Sequence, residues 1–322
     1  MNSGVYIKNV FDALSEKDLR NYVRDYDVKE KMLRSLFSSM PQRATEFSAG
    51  YDLRILNDEV VLPHESRLIS FGDSISIENP MVTAVIVPRS SLAKKKGLIL
   101  SGGPFYVYSG EGYSCITLNF INFTDNAVKL KAGEKIAQAV FIKYPSSIIG
   151  GIDAVVNMEN ADVSVLPDPL DEYFMSPMLE NNIEVTPKVK DVYKYISVDQ
   201  TERQQYYFQA FTDTMLEPGV VSCLMTGLRC RMEGGQVFIL KCMVGNQCVE
   251  LANSVGVIDS DYYDNVDNAG EIGVLLLNRG SVPVYVRKGD VIASGALYMY
   301  EKAAGDLYGG KRIGGFGSTD GN

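Results

Sequence analysis

The sequence predicts a mainly β protein: two similar β domains related by internal duplication, with a helical segment before them and a Gly-rich lid after them. Three observations carry this. From about residue 45 the chain breaks into short apolar runs bounded by turn residues (Met81 to Val87, Tyr113 to Asn122, Ala127 to Leu130, Ile136 to Ile142), the pattern of many short strands. The same pattern returns from about 206 to 300. The two stretches also align: Asn122 placed on Asn278, 156 positions on, sets Val128 on Val284, Lys131 on Arg287, Gly133 on Gly289, Glu134 on Asp290, Ile136-Ala137 on Ile292-Ala293 and Tyr144 on Tyr300 without a gap. A hairpin shared by chance would not keep one register over more than twenty positions.

The elements follow in chain order. Residues 1–44 form the helical segment, with one helix from 15 to about 40. Ser15 caps it, Asp18 stands three residues on as the capping-box acid, and Leu19, Tyr22, Val23, Tyr26, Leu33, Leu36, Phe37 and Met40 recur at helical spacing. Its polar face is mixed in sign, which favours docking on the protein over lying on a membrane. Residues 45–144 are the first β domain. Residues 145–205 are acidic and punctuated by Pro167, Pro169, Pro177 and Pro187, and read as a long connection with some local structure. Residues 206–304 are the second β domain. Residues 305–322 are the lid, whose glycines disfavour any stable strand or helix.

Composition narrows the function. The chain has 322 residues, 46% of them apolar and 22% charged, with a net charge of −9. A general nucleic-acid binder needs a basic face, so none is expected; a local basic cluster for a small anion remains compatible. No apolar run approaches the length of a membrane helix, and the start leads into no apolar signal segment. Five cysteines without a C-x-x-C suggest free thiols in a reducing cytoplasm. Their spacing favours buried thiols over a zinc site at Cys223, Cys230, Cys242 and Cys248. The single histidine, His64, rules out a multi-His metal site by count, so an enzymatic base would be a carboxylate.

Four segments could carry chemistry. Ser48 to Leu53 includes Asp52. Pro88 to Ala93 offers the planar fork of Arg89 and the hydroxyls of Ser90 and Ser91, which suit a phosphate chain, although an exposed turn has the same composition. Asn253 to Tyr262 has the look of a hairpin around Asp259-Ser260-Asp261; it could present backbone groups to a base, or be a plain turn. The tail Gly314 to Thr319 is either a disordered end or a lid that closes Phe316 on a ring and Ser318 and Thr319 on phosphate.

Together with Gly133-Glu134-Lys135-Ile136-Ala137-Gln138, these segments resemble the five motifs of the dUTPase family: A-G-Y-D-L, (G/P)-R-S-(S/G)-L-A, N-x-x-G-V-I-D-x-D-Y, G-(D/E)-x-I-A-Q and G-G-F-G-S-T. The resemblance covers roughly residues 45 to 144 and 206 to 319, and implies two dUTPase-like β-barrel or jelly-roll domains. The motifs are divided between them. The first half holds Asp52, Arg89-Ser90-Ser91 and Gln138, with Tyr108 near the place of the catalytic Asp. The second holds Asp259, with Gly245-Asn246-Gln247-Cys248 at its phosphate motif and Ser294 for Gln. Family homotrimers assemble each site from three subunits; a fused duplication divided this way would keep one complete site within one chain. The logic resembles monomeric herpesvirus dUTPases, though the motif order differs.

The resemblance implies dUTP as partner, Mg²⁺ as cofactor, and hydrolysis to dUMP and pyrophosphate by water attacking the α-phosphate. Asp259 would orient or deprotonate the water. Asp52 would hold metal-bound water from the outer shell. Arg89, Ser90, Ser91 and Gln138 would hold phosphates, Asn253 and the Gly256-Val257-Ile258 backbone would read uracil, and Tyr262 would pack under the deoxyribose. In the tail, Lys311 or the adjacent Arg312 would meet phosphate, and Phe316, Gly317, Ser318 and Thr319 would close the site. The insertion Tyr263 to Ala269 is a departure near the sugar. Two alternatives stand beside this. One is a non-catalytic dUTPase-like binding or regulatory protein. The other is dCTP deaminase, disfavoured because Thr117-Leu118-Asn119-Phe120 lacks the expected Glu.

Overall fold

The computed structural model describes residues 3–110, 112–143, 183–185, 196–198, 206–312 and 314. Its first half contains strands β1 (Val5–Asn9), β2 (Gly50–Arg54), β3 (Glu59–Val61), β4 (Ser66–Ser70), β5 (Asp73–Ile77), β6 (Val82–Pro88), β7 (Leu98–Leu100), β8 (Phe105–Val107), β9 (Thr117–Asn122), β10 (Val128–Leu130) and β11 (Lys135–Lys143). The second contains β12 (Ile183–Val185), β13 (Ile196–Val198), β14 (Tyr206–Gln209), β15 (Thr214–Leu216), β16 (Val221–Cys230), β17 (Gln236–Cys242), β18 (Val249–Leu251), β19 (Gly256–Asp259), β20 (Glu271–Asn278), β21 (Val284–Val286) and β22 (Val291–Met299).

The pairing order repeats. Sheets β2-β11-β6-β8, β4-β9-β7 and β10-β3 have counterparts in β14-β22-β17-β19, β16-β20-β18 and β15-β21, and β1 pairs with β5 as β12 pairs with the end of β16. The turns repeat as well. Asn122 donates to the Val61 and Asn126 carbonyls and accepts from Thr124 N–H; Asn278 donates to Leu216 and Val282 and accepts from Gly280. The basic-x-Gly-acid turns place Gly133 and Gly289 at φ of 84° and 92°, where a side chain would be strained. In each, the acid accepts from the backbone N–H of the basic residue.

Alternation explains how the halves join. On β6, Ala84 and Ile86 face the first core while Val85 and Val87 face the second half. On β17, Phe238 and Leu240 face the second core while Val237 and Ile239 face the first half. Strands buried on both faces read as continuous apolar runs, as Val82 to Val87 does. Ala93 and Ile99 pack on Ala252, Leu275 and Leu277 at a second seam.

Two expectations about the N-terminal segment need correction. The helix expected over 15–40 is divided into α2 (Glu16–Tyr22) and α3 (Tyr26–Leu36), after a short α1 (Val10–Ala13). Asn57 enters the break, donating to the Tyr22 carbonyl and accepting from Arg24 N–H, and Asp25 turns left-handed at φ 55°. Ser15 does cap α2, accepting from Asp18 N–H and donating to its carboxylate. The N-terminal segment is not purely helical either, because β1 joins the first half through β5. Within 145–205, β12 and β13 pair with β16 and β14. No helix among the described residues is long and apolar enough to cross a membrane. The five cysteines are free thiols, but Cys223 and Cys248 are exposed and not buried as expected.

Candidate active site between the two β halves

A cleft spanning about 690 Å³, much of it open to solvent, lies where the halves meet. One wall comes from the first half: Arg89 and Ser90, just past the end of β6, and Gln138 on β11. Gln138 sits opposite Val87 on one side and Asp52 on the other, so strand register puts Gln138, Asp52 and the end of β6 together. The other wall comes from the second half: Asn253, Gly256, Val257, Ile258, Asp259 and Tyr262. Arg312 reaches the cleft from the C-terminal segment. Ten of the expected site residues therefore line one cavity.

Asp52 stands behind this surface. Its carboxylate lies 3.3 Å from Arg89 Nη1 and 3.4 Å from Lys135 Nζ, which fixes the Arg89 fork from beneath. A Cβ at Gly50 beside it would lie 2.3 Å from Gln138 Oε1, so a side chain there would displace the Gln138 amide from its place. Ser91 does not line the cleft. It precedes the short helix α4 (Leu92–Lys96) and faces an adjoining hollow with Lys95, Lys96 and Lys135.

The segment expected as a hairpin is not one, because its two arms enter different sheets: β18 pairs with β20 and β19 with β17. Asn253 lies in the turn between them, 6% exposed, and its Oδ1 is buried without a hydrogen-bond partner among the described residues. Strand β19 is the edge of its sheet, so its backbone on the side away from β17 turns toward the cleft. Gly256 permits close packing here, as its Cβ would lie 3.0 Å from that of Leu240. Tyr262 ends a 3₁₀ turn; its hydroxyl donates to the Glu271 carbonyl and accepts from Asn268.

Asp259 is the centre of the electrostatics. One carboxylate oxygen accepts from Ala49 N–H at 2.8 Å, the other from Arg312 Nη2 at 2.5 Å. Arg312 Nε also bonds Asp261 at 2.7 Å, and Asp261 accepts from Thr45. Burial pushes Asp259 up to about 6; the Arg312 cation opposes this and nearby Asp261 reinforces it. Of the two basic tail residues, Arg312 meets the cleft while Lys311 is exposed. Phe316, Gly317, Ser318 and Thr319 lie outside the described residues. Leu240, Ile272 and Gly273 also line the cavity. Sequence reading missed them because they sit on strands whose apolar pattern marks only burial.

Register identifies the counterparts. Val107 faces Ala84 as Ile258 faces Phe238, so the next residues, Tyr108 and Asp259, correspond. Pro88 faces Ala137 as Cys242 faces Ala293, so Arg89 and Ser90 correspond to Met243 and Val244. Asn246 and Gln247, expected at those places, instead belong to the turn entering β18, which Asn246 braces by accepting from Cys248 N–H.

The family model for dUTPase matches residues 38–163. A deoxyuridine 5'-triphosphate nucleotidohydrolase of Actinobacillus succinogenes is 38% identical over 105 residues, covering 32% of this chain and 69% of that protein. The Lactococcus lactis protein of the same name is 34% identical over 142 residues, covering 42% of this chain and 95% of that protein. Among solved structures, the 2'-deoxycytidine 5'-triphosphate deaminase of Agrobacterium tumefaciens superposes with a TM-score of 0.50 over 85% of this chain and 95% of its own, at 11% identity, a likeness of fold alone. On the two sequence relatives, each matched over more than two thirds of its length, the chain belongs to the dUTPase family.

Proposed function

We propose that this chain hydrolyses dUTP to dUMP and pyrophosphate at one site per chain, between two β domains (45–144 and 206–304) that arose by duplication. The observation that carries this is the cleft in which Arg89, Ser90 and Gln138 of one half face Asn253, Asp259 and Tyr262 of the other. Arg89, braced by Asp52, offers a bidentate fork to phosphate oxygens, with Ser90 and Gln138 beside it. Ser91 and its neighbouring lysines serve the far end of the phosphate chain. The orphaned Asn253 Oδ1 is an acceptor suited to the N3–H of uracil, which cytosine lacks, and the β19 edge supplies further backbone groups. Tyr262 packs against the deoxyribose where a 2′-hydroxyl would clash.

Asp259 orients a water toward the α-phosphate and takes its proton, which needs the carboxylate ionised. The triphosphate draws Arg312 toward itself and frees an oxygen of Asp259 for the water. Phe316, Gly317, Ser318 and Thr319 then close over the nucleotide. Among the described residues no group of three His, Cys, Asp or Glu side chains could hold a metal; at the phosphate end Asp52 stands behind Arg89, and Glu134 lines the adjoining hollow. This donor set fits Mg²⁺ carried by the triphosphate, with Asp52 holding one of its waters. When bound, the ion neutralises phosphate charge and fixes the chain's conformation. Free thiols suit a reducing compartment, the cytoplasm or, for a viral chain, the infected nucleus.

The test is pyrophosphate release from dUTP, dCTP, dTTP and UTP with and without Mg²⁺. Rapid release from dUTP alone, dependent on Mg²⁺, is expected. Equal turnover of UTP would remove the role given to Tyr262, and turnover of dCTP the role given to Asn253.

A further inference from the structure

Arg43 is among the largest fully buried side chains, yet the reaction proposed above makes no use of it. Its guanidinium makes a bidentate pair with Asp306, Nε to Oδ1 at 2.8 Å and Nη2 to Oδ2 at 2.5 Å. Nη1 turns the other way and donates to the carbonyls of Thr45, Glu46 and Ser48 at 3.2, 2.6 and 2.8 Å. Tyr51 donates its hydroxyl to Asp306 and accepts from Ala303 N–H. Around this pair the C-terminal segment runs beside residues 43–46: Arg43 N–H donates to Leu307, Gly309 N–H to Arg43, and Glu46 N–H to Gly310. Two residues beyond Gly310 comes Arg312.

The 45–48 turn held by the same guanidinium also reaches the site. Thr45 bonds Asp261, and the Ala49 N–H just after the turn bonds Asp259. One buried cation thus connects two segments that converge on the same pair of carboxylates, although its partner lies 263 positions away in the chain.

We propose that the Arg43–Asp306 pair is a positioning device for the site: it fastens the C-terminal segment to the 45–48 turn and so keeps Arg312 at the cleft, within reach of Asp259 and of an incoming triphosphate, and the Ala49 N–H on Asp259. This rests on the roles proposed above for Asp259 and Arg312. The pair is charge-assisted and bidentate, with Arg43 fully buried and Asp306 partly so, and it therefore fixes direction as well as distance. It also delivers the tail within its own chain, which a freely hanging Gly-rich segment would not ensure.

The experiment is Asp306→Asn, alone and combined with Arg312→Ala, in the full chain. The amide offers one acceptor oxygen in place of two and so cannot match both Nε and Nη2 of Arg43. We expect kcat/KM for dUTP to fall about tenfold or more, the scale of a lost charge-assisted bond. Amide exchange at Arg43, Glu46 and Gly309 should quicken by a similar factor. The double variant should be within about twofold of Arg312→Ala alone, because Asp306→Asn leaves Arg43 Nη1 on the 45–48 carbonyls and so reaches the site through Arg312. Independent, multiplying losses would overturn the proposal. So would an Asp306→Asn protein with wild-type amide exchange and activity beside a damaged Arg312→Ala protein. An Arg312→Ala protein as active as wild type would instead count against the proposed role of Arg312. If Asp306→Asn fails to fold, Tyr51→Phe removes only the hydroxyl shared by Asp306 and Ala303; the same direction of change, about threefold, is expected, and no change in exchange or kcat/KM overturns the clasp.

Discussion

Two opposing influences set the charge of Asp259. Burial favours the neutral acid and pushes the group up to about 6, while Arg312 favours the carboxylate. Only the carboxylate can take a proton from water. The acid limb of kcat/KM should therefore rise through a midpoint near 6, with the enzyme inactive below it and active above, where an exposed Asp would give about 4. Arg312→Ala removes the opposing cation, so the midpoint should move up; a pH–rate profile whose limb moves down would contradict the assignment. Asp259→Asn should lose about a hundred- to ten-thousandfold in kcat while binding a non-hydrolysable dUTP analogue within a few-fold of wild type. Much of this constellation was legible, because Arg89, Gln138, Asn253 and Asp259 sit in short motifs whose spacing is local. The choice between Lys311 and Arg312 was not: two adjacent cations in a Gly-rich segment carry no periodicity to orient them. Nor was Arg43, since nothing around it marks it as buried and Asp306 lies at the other end of the chain.

At the level of elements, periodicity identified the strands and failed at their connections. Runs such as Val82 to Val87 and Ile136 to Ile142 are apolar because each strand is buried on both faces, and that pattern is readable. The division of the helix at Val23 to Asp25 was not readable, because it depends on Asn57 arriving from another loop. The parting of β18 and β19 into two sheets was hidden for a similar reason: alternation gives a strand's faces and not its partner. The repeated turns make a quantitative test. Asn278 satisfies three backbone groups, and Asn278→Ala removes the buried amide that bonds the Leu216 and Val282 carbonyls and the Gly280 N–H beneath a surface turn. We expect a loss of about 2–4 kcal/mol in urea unfolding, and a similar loss for Asn122→Ala. Ser15→Ala removes an exposed helix cap and should cost only about 1 kcal/mol. Equal losses at the two kinds of site would mean that the turns do not hold the sheets.

The whole molecule brings together what each half lacks. Arg89 and Asp259 belong to different halves and face one cleft, while their counterparts by strand register, Met243 and Tyr108, offer neither a phosphate fork nor a carboxylate. A second site built from the counterparts could not bind a triphosphate in the same way. Titration with a non-hydrolysable dUTP analogue should therefore saturate near one ligand per chain, and two equivalent sites would sink the division of labour between the halves. The apolar seam of Val85, Val87, Val140 and Ile142 against Val237, Ile239, Ala296 and Tyr298 holds the halves of one chain together, and Arg43 with Asp306 ties the C-terminal segment to the first half. Exchange of halves between chains would have to open both. Mixing an Arg89→Ala protein with an Asp259→Asn protein should then restore no activity, even after long incubation. If the halves did pair between chains, about half of the sites in a mixed pair would recover both wild-type walls, and activity would return with the kinetics of subunit exchange. Repeating the mixture after joint unfolding and refolding in urea separates the two cases: restoration only after refolding would mean that the folded seam, and not the sequence of either half, keeps the site within one chain.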